Sequence, residues 1–420
     1  MLGRFIDGVA RDGYLGMKIL LSAFACAPNT GSEVGGGWRY ALELAREHQV
    51  WVLTDESRRA AIEAFPASLP ESLRIIYYRP GFLKKLPLNS KTAHLIYQAW
   101  QMGAWRVAKA LDAELGFDVC WHLTYGVFRQ PSWMWKVGKP FVFGPVGGAE
   151  RAPVRLWRGM PVREQIREFA RDLVNFFAWC LPGLKATYRN ADLVIARTED
   201  TKSVLPSWAQ AKTVVQQEIG GYPARVSPEN RAGHSGRLNV LFAGRLLGWK
   251  GVHLAIAAFA DFLRQGGDGE FTIVGDGPMD AYLQTLATDL GVSERIRFVR
   301  RMPQDELFRR YPDFDVLLFP SLHDSGGNVV IEALSFGVPV VCLDLGGPRC
   351  FVNDSCGVIV PAHQANRDEV VAGLASALLR IHAQPEWHRE LCRSALVRAN
   401  ELTWEKQVAR AMDLVMRVSQ

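Results

Sequence analysis

The chain has no run of about 18 apolar residues, so it offers no membrane-spanning helix. Its seven cysteines, Cys26, Cys120, Cys180, Cys342, Cys350, Cys356 and Cys392, are odd in number, scattered, and never spaced as C-x-x-C. That leaves no seed for a zinc or dithiol redox site and reads as free thiols in a reducing cytosol. Charge of one sign is scarce too: 49 Lys and Arg against 43 Asp and Glu give a formal net charge of +6. So mild an excess suits an anionic substrate or an anionic membrane surface better than nucleic acid. Internal repeats and low-complexity tracts are absent. The first sixteen residues carry Arg4, Asp7, Arg11 and Asp12 and leave no room for the apolar core of a secretion signal. They read as a loose leader, with Met17 as the biological start. The expected location is cytoplasmic, with a peripheral position on the inner membrane face.

What is present is enough for two cores. A chain of 420 residues, 48% of them apolar, suits two α/β domains of roughly 200 residues each. From Met17 onward short apolar runs alternate with helical patterns, as in βαβ units that feed parallel sheets. Strands are predicted at 18–24, 50–54, 74–78, 118–121, 140–143 and 192–196, then at 238–242, 270–274, 296–299, 315–319 and 339–343. Helices are predicted between them, for instance at 37–48 and 250–265. The stretch Arg225–Arg237, with Pro228, Asn230, Gly233, Ser235 and Gly236, has turn composition without periodicity. The expected division is therefore a leader at 1–16, a first domain at 17–225, a linker at 226–237, a second domain at 238–402 and a final helix at 403–420. That helix has little strand left to cover and is expected to cross back onto the first domain.

Two stretches break the alternation. Residues 80–109 hold Phe82, Lys84, Lys85, Trp100, Trp105, Arg106 and Lys109, and residues 151–189 hold Arg155, Trp157, Arg158, Arg163, Arg167, Phe176, Phe177 and Trp179. Rings beside cations suit the headgroup layer of an anionic membrane. Helices that pack on a sheet and expose their charges would have the same composition.

Residues able to do chemistry cluster in the strand-end loops, where open α/β sheets bind ligands. Gly244-Arg245 and Lys250-Gly251 stand where a strand gives way to a helix, and their two cations suit one diphosphate. Gly275-Asp276-Gly277-Pro278 is a Gly-rich turn of the kind that lets a nucleotide approach the backbone, although such turns also serve conformation alone. In Pro320-Ser321-Leu-His323-Asp324-Ser325-Gly326-Gly327-Asn328 a strand ends, and a helix opening near Asn328 offers free N–H groups to an anion. Glu332 lies about a turn inside that helix among apolar neighbours, so its carboxylate needs a partner: a pair of ribose hydroxyls or an internal cation. In the first half, Gly31-Ser-Glu33-Val-Gly35-Gly36-Gly37 follows the first strand. It lacks the Lys-Ser or Lys-Thr of a triphosphate loop and reads as a flexible loop closing over a ligand. His122, after the fourth strand, is placed to face the same cleft, though a lone histidine is more often structural.

Together these motifs resemble glycosyltransferase family four, the retaining group 1 enzymes of GT-B architecture: α/β, with two Rossmann-like doubly wound domains facing each other across a cleft. The resemblance runs from Met17 to the last helix and is most specific at Gly244-Arg245, Lys250-Gly251, Val274 to Pro278, and Pro320 to Pro339. It implies transfer of a hexose from a nucleotide-diphosphate sugar to a saccharide acceptor, one candidate being an acceptor on a polyprenyl diphosphate, with no cofactor and no metal. By resemblance Arg245 and Lys250 bind the diphosphate and Glu332 the ribose, while Asp324 with Gly326, Gly327 and Asn328 binds the sugar. His122 matches the family's sugar-contacting histidine, and Gly35-Gly36 its glycine-rich loop. The family's Glu and Gly-Phe-Gly turn are replaced here by Asp324-Ser-Gly-Gly-Asn, which bears on the sugar rather than the class. Other readings are a noncatalytic nucleotide-sugar scaffold or sensor of the same fold, and a GT-B epimerase or phosphorylase.

Overall fold

The computed structural model describes residues 16–28, 31–84, 86–89, 92–227 and 236–419. Most of the expected leader and the centre of the expected linker lie outside these residues.

The N-terminal lobe runs β1 (Lys18–Ser22), α1 (Ser32–Leu44), β2 (Gln49–Asp55), α2 (Arg59–Glu63), β3 (Leu73–Tyr78), α3 (Ala93–Leu115), β4 (Val119–His122) and β5 (Phe141–Val146). It continues with α4 (Val162–Phe176), α5 (Leu184–Asn190), β6 (Leu193–Ala196), α6 (Glu199–Ser203), α7 (Ser207–Gln210) and β7 (Thr213–Val215). The C-terminal lobe runs β8 (Leu238–Ala243), α8 (Val252–Arg264), β9 (Gly269–Val274), α9 (Asp280–Asp289), β10 (Ile296–Val299), α10 (Gln304–Arg310), β11 (Val316–Phe319) and α11 (Asn328–Ser335). It ends with β12 (Val340–Leu343), α12 (Pro348–Phe351), β13 (Gly357–Val360), α13 (Arg367–Ala383), α14 (Pro385–Glu401) and α15 (Trp404–Ser419).

Each lobe is one sheet, ordered β3-β2-β1-β4-β5-β6-β7 and β10-β9-β8-β11-β12-β13. All of the strand pairs are parallel. Helices cover both faces of such a sheet, so its strands are near-continuous apolar runs; Ile19, Leu20 and Leu21 of β1 are all buried. In both sheets the order reverses beside the lobe's first strand, between β1 and β4 and between β8 and β11. A crevice opens at such a switch point, outside the carboxyl ends of the strands.

The eleven predicted strands are present with ends shifted by a few residues, and two more exist, β7 and β13. The helix expected at 37–48 begins instead at Ser32, so Gly35, Gly36 and Gly37 are helical rather than part of a flexible loop. The reason is close approach: a Cβ on Gly37 would lie 2.5 Å from Thr124 Cγ2 and 2.8 Å from the Ala25 carbonyl oxygen.

Two chain segments tie the lobes together. Helix α15 returns to the first lobe, where Val408, Ala411, Met412 and Val415 pack with Trp38, Tyr40, Ala41 and Leu44. In the other direction Ala152, Leu156 and Met160, from the segment before α4, join the core of the C-terminal lobe. None of the helices among the described residues is long and apolar enough to cross a membrane.

Candidate functional site

A cavity of about 400 Å³ lies between the lobes at the two switch points. The N-terminal lobe lines it with Glu33, Gly36, Thr124, Arg197 and Glu218, and the C-terminal lobe with Gly244, Lys250, Asp324, Gly326, Gly327 and Asn328. A second cavity of about 340 Å³ carries Gly35, Gln304 and Glu332. Gly36, Ile219, Asn328 and Trp404 line both, so the two form one groove.

Lys250 sits at the end of a short turn after β8, and Gly251 caps α8 with φ +71°. Glycine is required there, because a Cβ would meet the Pro320 carbonyl oxygen at 1.9 Å. This close approach of the two strand-end loops brings the Lys250 ammonium onto the Asp324 carboxylate, with only 14% and 17% of the two side chains exposed. The Lys250 Nζ also lies 4.5 Å from the Trp249 ring centre and 4.9 Å from that of Phe319. A cation so held is a fixed positive charge at the mouth of the switch point, suited to an anion that competes for it with Asp324. Asn328 starts α11 just beyond, and the helix N-terminus faces the same cavity.

Glu332 accepts hydrogen bonds from Gln304 Nε2 at 2.7 Å and from the Tyr311 hydroxyl at 3.1 Å. Burial raises its pKa, opposed by these two bonds and by the charge of Arg225. The required partner is therefore internal, yet Glu332 also lines the second cavity and keeps access to a ligand.

The remaining expected residues are placed differently. Arg245 is exposed and lines neither cavity, so it does not converge with Lys250 and Glu332. Gly275 and Gly277 line neither cavity; a Cβ on them would meet the Gly244 carbonyl oxygen at 1.9 Å and that of Leu246 at 2.3 Å. Their glycines let two backbones pack, and the Leu246 N–H donates to the Asp276 carbonyl at 2.8 Å. His122 is fully buried, and the cavity wall at this point is made by Leu123 and Thr124. Its ring packs against Phe143 and Tyr97, with Gln101 Nε2 3.5 Å from its Nδ1. Burial pushes its pKa down to about 3, so the ring is neutral near pH 7. A lone Asp-x-Asp triplet, Asp313-Phe314-Asp315, lies before β11, at the end of the strand opposite the groove. Asp315 there accepts the Asn239 N–H at 2.7 Å. No cluster of His, Cys, Asp and Glu suited to a metal occurs among the described residues.

The feature that sequence reasoning missed is the charged wall opposite Lys250. Arg197 lies 3.1 Å from Glu33 Oε1 and 2.5 Å from Glu218 Oε2, so one guanidinium serves two carboxylates. Burial raises the Glu218 pKa to about 7, with Arg197 opposing and Glu33 adding to the rise. Arg197 directly follows β6 and could have been found from the strand-end rule.

Two Rossmann-like sheets that face each other across a groove at their switch points define the GT-B architecture. Residues 228–384 match the family "Glycosyl transferases group 1", so the C-terminal lobe is a domain of that family. Among curated proteins, the chain is 33% identical over 144 residues to a 2-deoxystreptamine glucosyltransferase of Streptomyces kanamyceticus, a match covering 34% of this chain and 36% of the relative. It is 32% identical over 244 residues to a D-inositol 3-phosphate glycosyltransferase of Streptomyces bingchenggensis, covering 53% of this chain and 52% of the relative. The matches thus span between a third and about half the length of these relatives. Among solved structures, a sucrose-phosphate synthase from Thermosynechococcus elongatus shares the fold, with a TM-score of 0.63 and 21% identity over 96% of this chain and 98% of that one.

Proposed function

We propose that the chain is a retaining glycosyltransferase that moves a hexose from a nucleotide-diphosphate sugar to a saccharide acceptor, free or carried on a polyprenyl diphosphate. The observation that carries the reading is the groove itself, in which Lys250, Asp324, the α11 N-terminus and Glu332 share one side. The names of the two Streptomyces relatives support sugar transfer.

In this reading Lys250 and the free N–H groups of α11 receive the diphosphate, and Lys250 neutralises the charge that grows on it as the glycosidic bond breaks. Asp324 then turns to the hydroxyls of the sugar, and Glu332 takes the ribose hydroxyl pair. The acceptor enters from the side of Glu33, Arg197 and Glu218, and the leaving phosphate takes the proton of its hydroxyl on the same face. No pair of carboxylates flanking the bond is then needed, unlike in a glycosidase.

The test is a thermal-shift screen of UDP-, GDP- and ADP-sugars, since a ligand that binds only the folded state raises Tm. Donor turnover is then assayed for the wild type, Lys250→Ala and Glu332→Ala. A shift with one donor and turnover lost in both folded variants is expected. A stabilising donor that is never turned over would instead mark a nucleotide-sugar sensor. Turnover is also expected to survive EDTA; loss restored by Mg²⁺ or Mn²⁺ would refute metal independence.

A further inference from the structure

Helix α4 is built inside out. Its acids turn inward, with the Glu164, Glu168 and Asp172 side chains only 6%, 6% and 13% exposed. Glu168 Oε2 lies 2.9 Å from His323 Nε2, and Glu164 accepts the Gly248 N–H at 3.2 Å. Its apolar residues turn outward: Val162 is 70% exposed, Ile166 61%, Phe169 62%, Leu173 47% and Phe176 76%. Their spacing of i, i+4, i+7, i+11 and i+14 is one face of a helix, a stripe of about 20 Å. Phe177 and Leu181 extend it, and Val154 is exposed on the segment before it. Solitary exposed apolar residues are ordinary, but a continuous stripe marks a contact surface.

The charges beside the stripe indicate its occupant. Arg163 and Arg167 lie exposed on its edge, and Arg151, Arg155 and Arg158 are exposed on the preceding segment. Arg167 is paired with Glu164, Arg151 with Asp172 at 2.8 Å and Arg158 with Asp368 at 3.7 Å, but residues 151–176 carry six arginines against three acids, so the net charge of this segment is positive. An apolar stripe edged by guanidinium groups is complementary to acyl chains beneath anionic headgroups. In the other basic aromatic stretch Trp100 of α3 is fully buried and donates to the Tyr78 carbonyl at 2.9 Å, and Phe82, Leu95 and Met102 are exposed without making a five-residue stripe like that of α4.

We infer that the outward face of α4 docks the protein on an anionic lipid bilayer. The inference does not depend on the reaction, since binding is read without donor or turnover. It adds to the proposed function a reason for a lipid-borne acceptor, because the inward face of α4 holds the turn before Lys250 and the residue before Asp324.

The test is co-sedimentation of the full chain with phosphatidylcholine vesicles, with and without phosphatidylglycerol. Binding to the anionic vesicles that weakens with salt is expected. Ile166→Asp or Phe169→Asp should lower the partition coefficient roughly 30-fold or more, and Arg163→Ala about five-fold. These side chains are exposed, so Tm should not change. Val397→Asp, at an apolar residue 61% exposed on α14, should bind as the wild type does. No binding to anionic vesicles, or binding that Phe169→Asp leaves intact, overturns the inference. So does a concentration-dependent dimer that Phe169→Asp dissolves, since a second copy would then be what covers the stripe.

Discussion

Replacing Glu218 by Gln tests the charged wall of the groove directly. Glu218 shares Arg197 with Glu33, and its side chain is 14% exposed. One guanidinium cannot fully compensate two carboxylates, and burial lifts the Glu218 pKa from the ordinary 4.5 to about 7. A folded-state pKa above the unfolded one means that the folded state binds the proton more tightly. The associated stability is present in full below pH 4.5 and is lost as pH rises through 7. At 1.36 kcal/mol per unit, the shift corresponds to about 3 kcal/mol. Gln does not titrate, so Glu218→Gln removes this dependence, while any constant effect of the lost carboxylate cancels when the two proteins are compared across pH. A change of 1 kcal/mol moves Tm by about 2–4 °C in a domain of this size. Scanning calorimetry from pH 4.5 to 8 should therefore show the Tm of the variant gaining on that of the wild type by about 6–12 °C. A Tm difference that stays flat across this range, or moves the other way, would refute the rise that burial imposes on the Glu218 pKa.

The remaining predictions need simpler assays. Lys250→Met should lower kcat/KM for the donor by about 10²–10³, the usual cost of one charge-stabilising donor; a smaller loss in steady-state kinetics removes Lys250 from the diphosphate. Gly221→Ala should cost about 1–3 kcal/mol, because its Cβ would lie 2.1 Å from Ile331 Cγ2; an unchanged Tm would contradict this contact between lobes. In the native protein one thiol should react fast with Ellman's reagent and disappear in Cys180→Ser, since Cys180 is exposed while Cys26, Cys120, Cys342, Cys356 and Cys392 are buried. Ser325→Ala should cost about 1 kcal/mol and increase the radius of gyration in X-ray scattering, because Ser325 bonds Glu150 across the lobes at 2.6 Å; equal scattering curves would show that this bond does not hold the lobes.

The sheets were legible because parallel strands buried on both faces leave apolar runs that little else imitates. β7 was missed because three residues, Thr213–Val215, carry no pattern, and with it went the prospect of placing Glu218 just beyond a strand end. Lys250, Asp324, Asn328 and Glu332 could be found because their loops carry motif spacing. The position of Arg245 could not be read, since spacing says which loop a side chain leaves but not where it points. His122 shows the same limit: expected just after the fourth strand and facing the cleft, it is the last residue of β4 and its ring is fully buried. In α4 composition marked only a stretch of rings beside cations, whereas which face of the helix turned outward depended on Gly248 and His323, far along the chain.

The same dependence on distant partners accounts for the loop at Asp324-Ser325-Gly326-Gly327. Ser325 donates to Glu150 Oε2 and accepts the Gly148 N–H at 3.0 Å, while its carbonyl accepts from Gln217 Nε2 at 3.2 Å. Glu150 is itself held by the hydroxyls of Thr198 and Thr201 at 2.6 and 2.8 Å, so the loop is anchored in a buried polar network of the opposite lobe. Space around it is correspondingly tight: a Cβ on Gly326 would lie 2.4 Å from Ile219 Cδ1, and one on Gly347 2.5 Å from the Ser325 carbonyl oxygen. An aromatic ring at Gly326 would collide with Ile219 before reaching a ligand. Ser325 thus ties this loop to the opposite lobe, where Ile219 leaves no room for a larger side chain at Gly326. That bond lies beside the cavity that Ser325, Lys250 and Arg197 all line.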